Sequence, residues 1–141
     1  MTVRLERVVD LPAPREEVWA FISDPAQRAR HISVVDDYSI DGDGRATWQL
    51  ALPIPLVDRT IAVKTKDVDV RPPEHVKFVG RSRVMQVVGE QDLEPTETGS
   101  RLKNSFTVEG KVPGVERFFE SNLEDEFDNL ESGLREFLHD N

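Results

Sequence analysis

The spacing of apolar residues changes period twice along the chain. Residues 2–11, TVRLERVVDL, alternate, which predicts a strand with Val3, Leu5 and Val8 on one side. The segment LPAP interrupts that pattern. Pro14 suits the first turn of a helix, and Glu16 and Glu17 suit its positive end. PREEVWAFISD therefore predicts a short helix with Val18, Trp19, Phe21 and Ile22 as its apolar side. Asp24-Pro25 ends it, and PAQRARHI adds a second helical turn or two.

From Ser33 to about Gly110 the pattern is that of antiparallel strands, with segments at 34–40, 45–52, 59–70, 75–83, 84–93 and 100–109. Asp41-Gly42-Asp43-Gly44 predicts a hairpin turn, Arg71-Pro72-Pro73-Glu74 a second break, and Glu94 to Gly99 a third. In RLKNSFTVE, Leu102, Asn104, Phe106 and Val108 share one face, and Arg101, Lys103, Ser105, Thr107 and Glu109 take the other. The sheet is expected to be dry on one face and wet on the other.

After Lys111-Val112-Pro113-Gly114 the period becomes helical. Val115, Phe118, Phe119, Leu123, Phe127, Leu130, Leu134, Phe137 and Leu138 mark an amphipathic helix over 115–138, about 36 Å long at about 1.5 Å per residue. That segment carries eight acids and two bases, a balance that disfavours an isolated helix. Its Phe and Leu residues need burial, and the dry face of the sheet needs a cover. The expected fold is α+β: about seven antiparallel strands curved around one long C-terminal helix, with two short helices after the first strand, in one domain over 1–141.

This order of elements, the opening PAPREEVWAFISDPAQRARHI and the closing PGVERFF…LREFL together resemble the START-like, or SRPBCC, superfamily and its helix-grip fold. The opening is similar to that of polyketide cyclase/lipid-transport-like members and of members associated with carbon monoxide dehydrogenase. The resemblance implies a hydrophobic cavity between helix and sheet that takes a lipid, a quinone or a polyketide-like molecule. It leaves two other roles open: a polyketide cyclase/dehydratase-like enzyme, or an accessory protein of a redox enzyme. The dehydrogenase-associated relatives commonly carry a C-terminal anchor, whereas this chain ends at REFLHDN.

Composition narrows the partners. The net charge of −9 argues against nucleic acid and against a polybasic membrane anchor. No segment approaches a membrane span, and MTVRLERVVDL lacks a signal peptide's apolar run, so a cytoplasmic location is expected, as a monomer or weak homodimer. With no Cys, thiolate chemistry and Cys-ligated metal are excluded. Thirteen Arg against five Lys, in an acid-rich chain, suits a high-salt cytoplasm and a halophilic source.

No nucleophile elbow, phosphate loop or dinucleotide fingerprint is present, and neither metal nor cofactor is expected. His31, His75 and His139 lie far apart in sequence; His31 either reaches a cavity mouth or, the plainer reading, caps or packs. Asn104, among Leu102 and Phe106, and Gln91, in phase with Met85, are amides on the inner face that need partners. On the long helix Asn122, Glu126, Asn129 and Gly133 form one line. Glu126 either faces the cavity, as a candidate acid or base, or belongs with its line to the solvated edge of the stripe, the plainer reading. Trp48, Leu50, Phe78, Phe119, Leu123, Phe127 and Leu130 complete the expected ligand-binding set. ALPIPLV, uncharged and stiffened by Pro53 and Pro55, is either an apolar cavity lip presenting Ile54, Leu56 and Val57 or a satellite of the core.

Overall fold

The computed structural model describes residues 2–54 and 60–139. The first strand, β1 (Thr2–Leu11), leads into helices α1 (Arg15–Ile22) and α2 (Pro25–Arg30). Six strands follow: β2 (Val35–Gly42), β3 (Arg45–Leu50), β4 (Ile61–Arg71), β5 (His75–Arg81), β6 (Met85–Thr96) and β7 (Gly99–Gly110). Helix α3 (Val115–His139) ends the chain. All seven strands form one antiparallel sheet in the order β1-β7-β6-β5-β4-β3-β2. The first strand thus pairs with the last, while the meander runs outward to β2. The expected segments fall within a few residues of the observed ones. The third break is shorter than expected: β6 continues through Pro95, paired with Ser100, and turns only at Glu97-Thr98.

Alternation assigns the two faces. On β7 Leu102, Asn104, Phe106 and Val108 are buried under α3, while Arg101, Lys103 and Glu109 are exposed. On β1 the expected phase fails at one residue. Val8 is 59% exposed on the outer face, and Arg7 takes the inner position between Leu5 and Val9. An arginine is stable there because α3 offers it acids. Its Nη1 donates to Asp128 Oδ1 at 2.6 Å and lies 3.8 Å from Glu131, and its guanidinium stands 5.6 Å from the centre of the Phe127 ring. A basic inner residue on β1 thereby offsets part of the acid excess of α3.

The apolar stripe of α3 packs into two clusters. The larger joins Val115, Phe119, Leu123 and Phe127 to Trp48, Leu50, Val63, Phe78, Phe106 and Val108. The smaller joins Leu134 to α1 (Val18, Phe21, Ile22) and to Val76, Leu93 and Leu102.

Two close approaches depend on missing side chains. Phe78 stands opposite Gly89 across β5 and β6, and its ring lies where a Cβ on Gly89 would be. His31, after α2, presses its ring onto α3 at Gly133, where a methyl would overlap it. His31 also bonds Gln27 O through Nδ1 at 2.8 Å and packs on Phe21. It therefore packs, anchoring α2 to α3, and lines neither cavity described below.

In an ordinary helix interior Gly→Ala stabilises by about 0.5–1 kcal/mol. Here Gly133→Ala is expected to destabilise by about 1–3 kcal/mol through overpacking against His31. In a His31→Ala background the same change should revert to a gain of about 0.5–1 kcal/mol. Urea unfolding of the four proteins measures this, and a stabilising Gly133→Ala in the parent would refute the contact.

Candidate functional site

The two apolar clusters are separated by polar side chains. Along the inner face β6 reads Met85, Val87, Gly89, Gln91, Leu93, and β7 reads Leu102, Asn104, Phe106, Val108. Gln91 and Asn104 stand opposite one another in register, and Gln91 Nε2 donates to Asn104 Oδ1 at 3.3 Å. Gln91 is 5% exposed, and its Oε1 has no partner among the described residues. A buried amide oxygen left this way costs about 1–3 kcal/mol.

Arg28 faces the same region. Asp24 caps α2 by accepting from Ala26 N at 2.9 Å, Pro25 occupies its start, and the short helix turns Arg28 and Ala29 inward. Arg28 is 4% exposed. Its Nη1 donates to Asp67 Oδ1 at 3.0 Å and its Nη2 to Ile22 O at 3.4 Å. The guanidinium lies 4.1 Å from the centre of the Phe78 ring. Its Nε–H has no partner among the described residues. Burial lowers the guanidinium's proton affinity from its ordinary value, and the Asp67 charge opposes that effect. Asp67 can reach it because it stands opposite inward-facing Phe78. The β4–β5 pairing then slips, so that Asp69 comes opposite outward-facing Lys77.

Arg28, Gln91 and Asn104 share a cavity of about 30 Å³ with Val9, Phe21, Ile22, Leu102, Phe127, Leu130 and Leu134. It has room for about two water molecules. Arg7 and Glu131, both half-exposed, form its outer rim between β1 and α3. A second cavity of about 20 Å³ lies beneath the N-terminal half of α3, lined by Trp48, Leu50, Met85, Phe106, Phe119, Leu123 and Glu126 among others. A chain of rings lies along these cavities: Trp48 to Phe78 at 5.9 Å, Phe78 to Phe106 at 5.7 Å, and Phe106 to Phe127 at 5.8 Å between centres.

Of the sequence candidates, Gln91, Leu102, Asn104, Phe127 and Leu130 line the first cavity. Trp48, Leu50, Met85, Phe106, Phe119, Leu123 and Glu126 line the second. Phe78 is fully buried but lines neither, because its ring is held between Gly89 and Arg28. Ile54 is half-buried against the larger cluster and near Gly114, while Leu52 of the same stretch is buried. Leu56 and Val57 lie outside the described residues.

The line through Glu126 is mixed: Asn129 is exposed and Asn122 half-buried, but its other two members are not solvated. Glu126 is 5% exposed and Gly133 is buried. The Glu126 carboxylate accepts from Ser33 N at 3.0 and 3.2 Å, from Ser33 Oγ at 2.7 Å and from Asn129 Nδ2 at 3.1 Å. It ties the α2–β2 connection to α3 through hydrogen bonds that fall mainly on Oε1. Sequence reasoning missed Arg28 and Arg7. An arginine in a six-residue helix reads as solvated, and its partner Asp67 is 39 residues away.

Asp67→Asn leaves the buried guanidinium without its counter-charge and is expected to cost about 3–5 kcal/mol. Replacing both partners, Arg28→Met with Asp67→Leu, should cost far less than Asp67→Asn alone. Equal losses for the single and the double variant would refute the buried pair. Glu126→Gln turns an NH₂ toward Ser33 and should cost about 1–3 kcal/mol in chemical denaturation. A change within error would show that Ser33 does not depend on that carboxylate.

The family model for polyketide cyclase / dehydrase and lipid transport matches residues 2–135. No curated protein sequence is significantly similar to the chain. Among solved structures, a conserved protein from Geobacillus kaustophilus superposes with a TM-score of 0.78 at 18% identity, covering 97% of this chain and 96% of that one. The Zhui aromatase/cyclase from Streptomyces sp. R1128 gives 0.73 at 14% identity, covering 97% and 94%. Ara h 8.0201 gives 0.69 at 13% identity, covering 99% of each chain. At these identities the structural matches speak for the fold, which is the helix-grip architecture of SRPBCC proteins. The family match covers most of the chain, and the protein belongs to the polyketide cyclase / dehydrase and lipid transport family.

Proposed function

We propose that this protein binds a hydrophobic small molecule bearing a hydroxyl or carbonyl oxygen, held between α3 and the sheet. The observation that carries the reading is the pair of unpartnered groups in one apolar cavity wall, Arg28 Nε–H and Gln91 Oε1. One is a donor and the other an acceptor. Neither has a protein partner among the described residues, and a hydroxylated ligand would supply partners for both. Because Asp67 balances the guanidinium, the site suits a neutral oxygen better than a carboxylate.

The two cavities, about 30 and 20 Å³, are far smaller than the roughly 300–1,000 Å³ of typical ligand pockets. Binding therefore requires ring movement at Phe106 and Phe127, or a small separation of α3 from β1 and β7. The rim at Arg7 and Glu131, half-exposed side chains 3.8 Å apart, is the natural entrance. The family's naming for lipid transport and the aromatase/cyclase neighbour support a hydrophobic ligand. The commitment of Glu126 to Ser33 and Asn129 supports binding over proton transfer by that carboxylate.

Titration with 1-naphthol and with naphthalene, followed by tryptophan fluorescence and native mass spectrometry, tests the reading. The naphthol is expected to bind at least about tenfold more tightly, about 1.4 kcal/mol. Gln91→Leu should abolish that preference while keeping naphthalene binding. Equal affinities in the parent, or no binding of either probe, would overturn the proposal.

A further inference from the structure

The outer face of the sheet, behind the cavity, carries a second cluster. Antiparallel pairing sets His75 opposite Asp92 and Lys77 opposite Glu90. Glu90 and Asp92 are two residues apart on β6 and share the outer face with His75. One donor atom from each of His75, Glu90 and Asp92 lies within 4.8 Å of the others. We propose that His75, Glu90 and Asp92 bind a divalent transition-metal ion of the zinc class.

Four observations carry this. First, the spacing is nearly right. His75 Nδ1 is 2.7 Å from Asp92 Oδ1. Bonds of about 2.0–2.2 Å at tetrahedral or octahedral angles set donors roughly 3.0–3.4 Å apart. The ion replaces the shared proton after an opening of a few tenths of an ångström, and Glu90 closes on it by side-chain rotation.

Second, the imidazole can switch tautomer on binding. The 2.7 Å contact puts a proton between Nδ1 and Asp92, the ion would displace it, and the ligating tautomer would carry its proton on Nε2, where Asp69 Oδ2, 3.6 Å away, is the nearest acid. The His75 ring is also held, with only 11% of its side chain exposed.

Third, the acids are available. Among the described residues no Lys or Arg pairs with Glu90 or Asp92, and the half-buried Glu90 side chain has no hydrogen-bond partner. Of the neighbouring cations, Arg71 pairs with Asp69, Lys103 with Glu6, and Arg101 with Asp10 and Glu94; Lys77, opposite Glu90, makes no ion pair among the described residues and leaves the Glu90 carboxylate uncommitted.

Fourth, the site opens onto a surface groove lined by Val8, His75, Asp92 and Lys103 among others, so water can complete the coordination. One imidazole nitrogen with two carboxylates suits Zn²⁺, Co²⁺ or Mn²⁺. Ca²⁺ and Mg²⁺ prefer oxygen donors alone. The donors come from two strands joined by register and 15–17 residues apart, so no short motif announces them.

Isothermal titration with ZnCl₂ in chelator-free buffer, with Co²⁺ absorption spectra alongside, is the test. The expected result is one ion per chain, weakened at least about tenfold by Glu90→Gln and by Asp92→Asn. His139→Gln should leave it unchanged. Glu90 has no partner to lose, so Glu90→Gln keeps the fold, which circular dichroism checks. Absence of binding up to about 1 mM Zn²⁺, where affinity is about 4 kcal/mol, would reduce the cluster to a His75–Asp92 ion pair. Binding that survives both carboxylate substitutions would equally overturn the site.

Discussion

The interior is organised around one buried charge. Arg28 enters from a helix of six residues, stacks on Phe78 and pairs with Asp67 at 3.0 Å. That contact fixes three things at once. It sets where α2 sits on the sheet, it requires the inward turn of Asp67 before the β4 irregularity, and it requires Phe78 to lie flat against Gly89. A hydrophobic substitute would hold the elements about as well, since desolvation of a buried pair consumes most of its Coulombic gain. What an apolar residue cannot supply is an oriented donor inside an apolar cavity. The unpartnered Nε–H is the part of Arg28 that stability alone does not explain.

The core is split where this charge sits. Arg28, Gln91 and Asn104 occupy the boundary between the cluster around the N-terminal half of α3 and the cluster around α1. A core interrupted by polar groups packs less completely than a continuous one, and the first cavity lies at this interruption. Beside its apolar stripe, α3 is held by polar and steric contacts: Arg7 to Asp128, Glu126 to Ser33, and His31 against Gly133.

Much of the architecture was legible because it depends on period. Alternation gave the strands, steps of three and four gave α3, and Asp-Pro and Gly-rich dipeptides gave the breaks. The candidate site was legible only as far as inward phase revealed it. Asn104 and Gln91 were found because they are polar residues in apolar rows. Arg28 was not, since its helix is too short to show a face and its partner is distant in sequence. Val8 and Arg7 were exchanged because hydropathy favours valine inside, whereas the alternation of Val3 and Leu5 carries on to position 7, where the acids of α3 make arginine stable. Glu126 read as solvated because its donors, Ser33 N and Oγ, come from a connection 93 residues away.

Strand β6 shows how one segment can serve both faces. Glu90 and Asp92 point outward beside His75, while Gln91, between them, points inward to Asn104 and the cavity. An ion joining His75 to both acids would hold β5 and β6 together directly behind the amide that faces the first cavity. It would restrict the backbone at Gln91 without touching the cavity. A ligand that needs Gln91 Oε1 in a fixed place would then bind to a strand already ordered, and less of its interaction energy would go into immobilising the site. Linkage makes such a coupling reciprocal: whatever the ion contributes to ligand affinity, the ligand contributes to ion affinity.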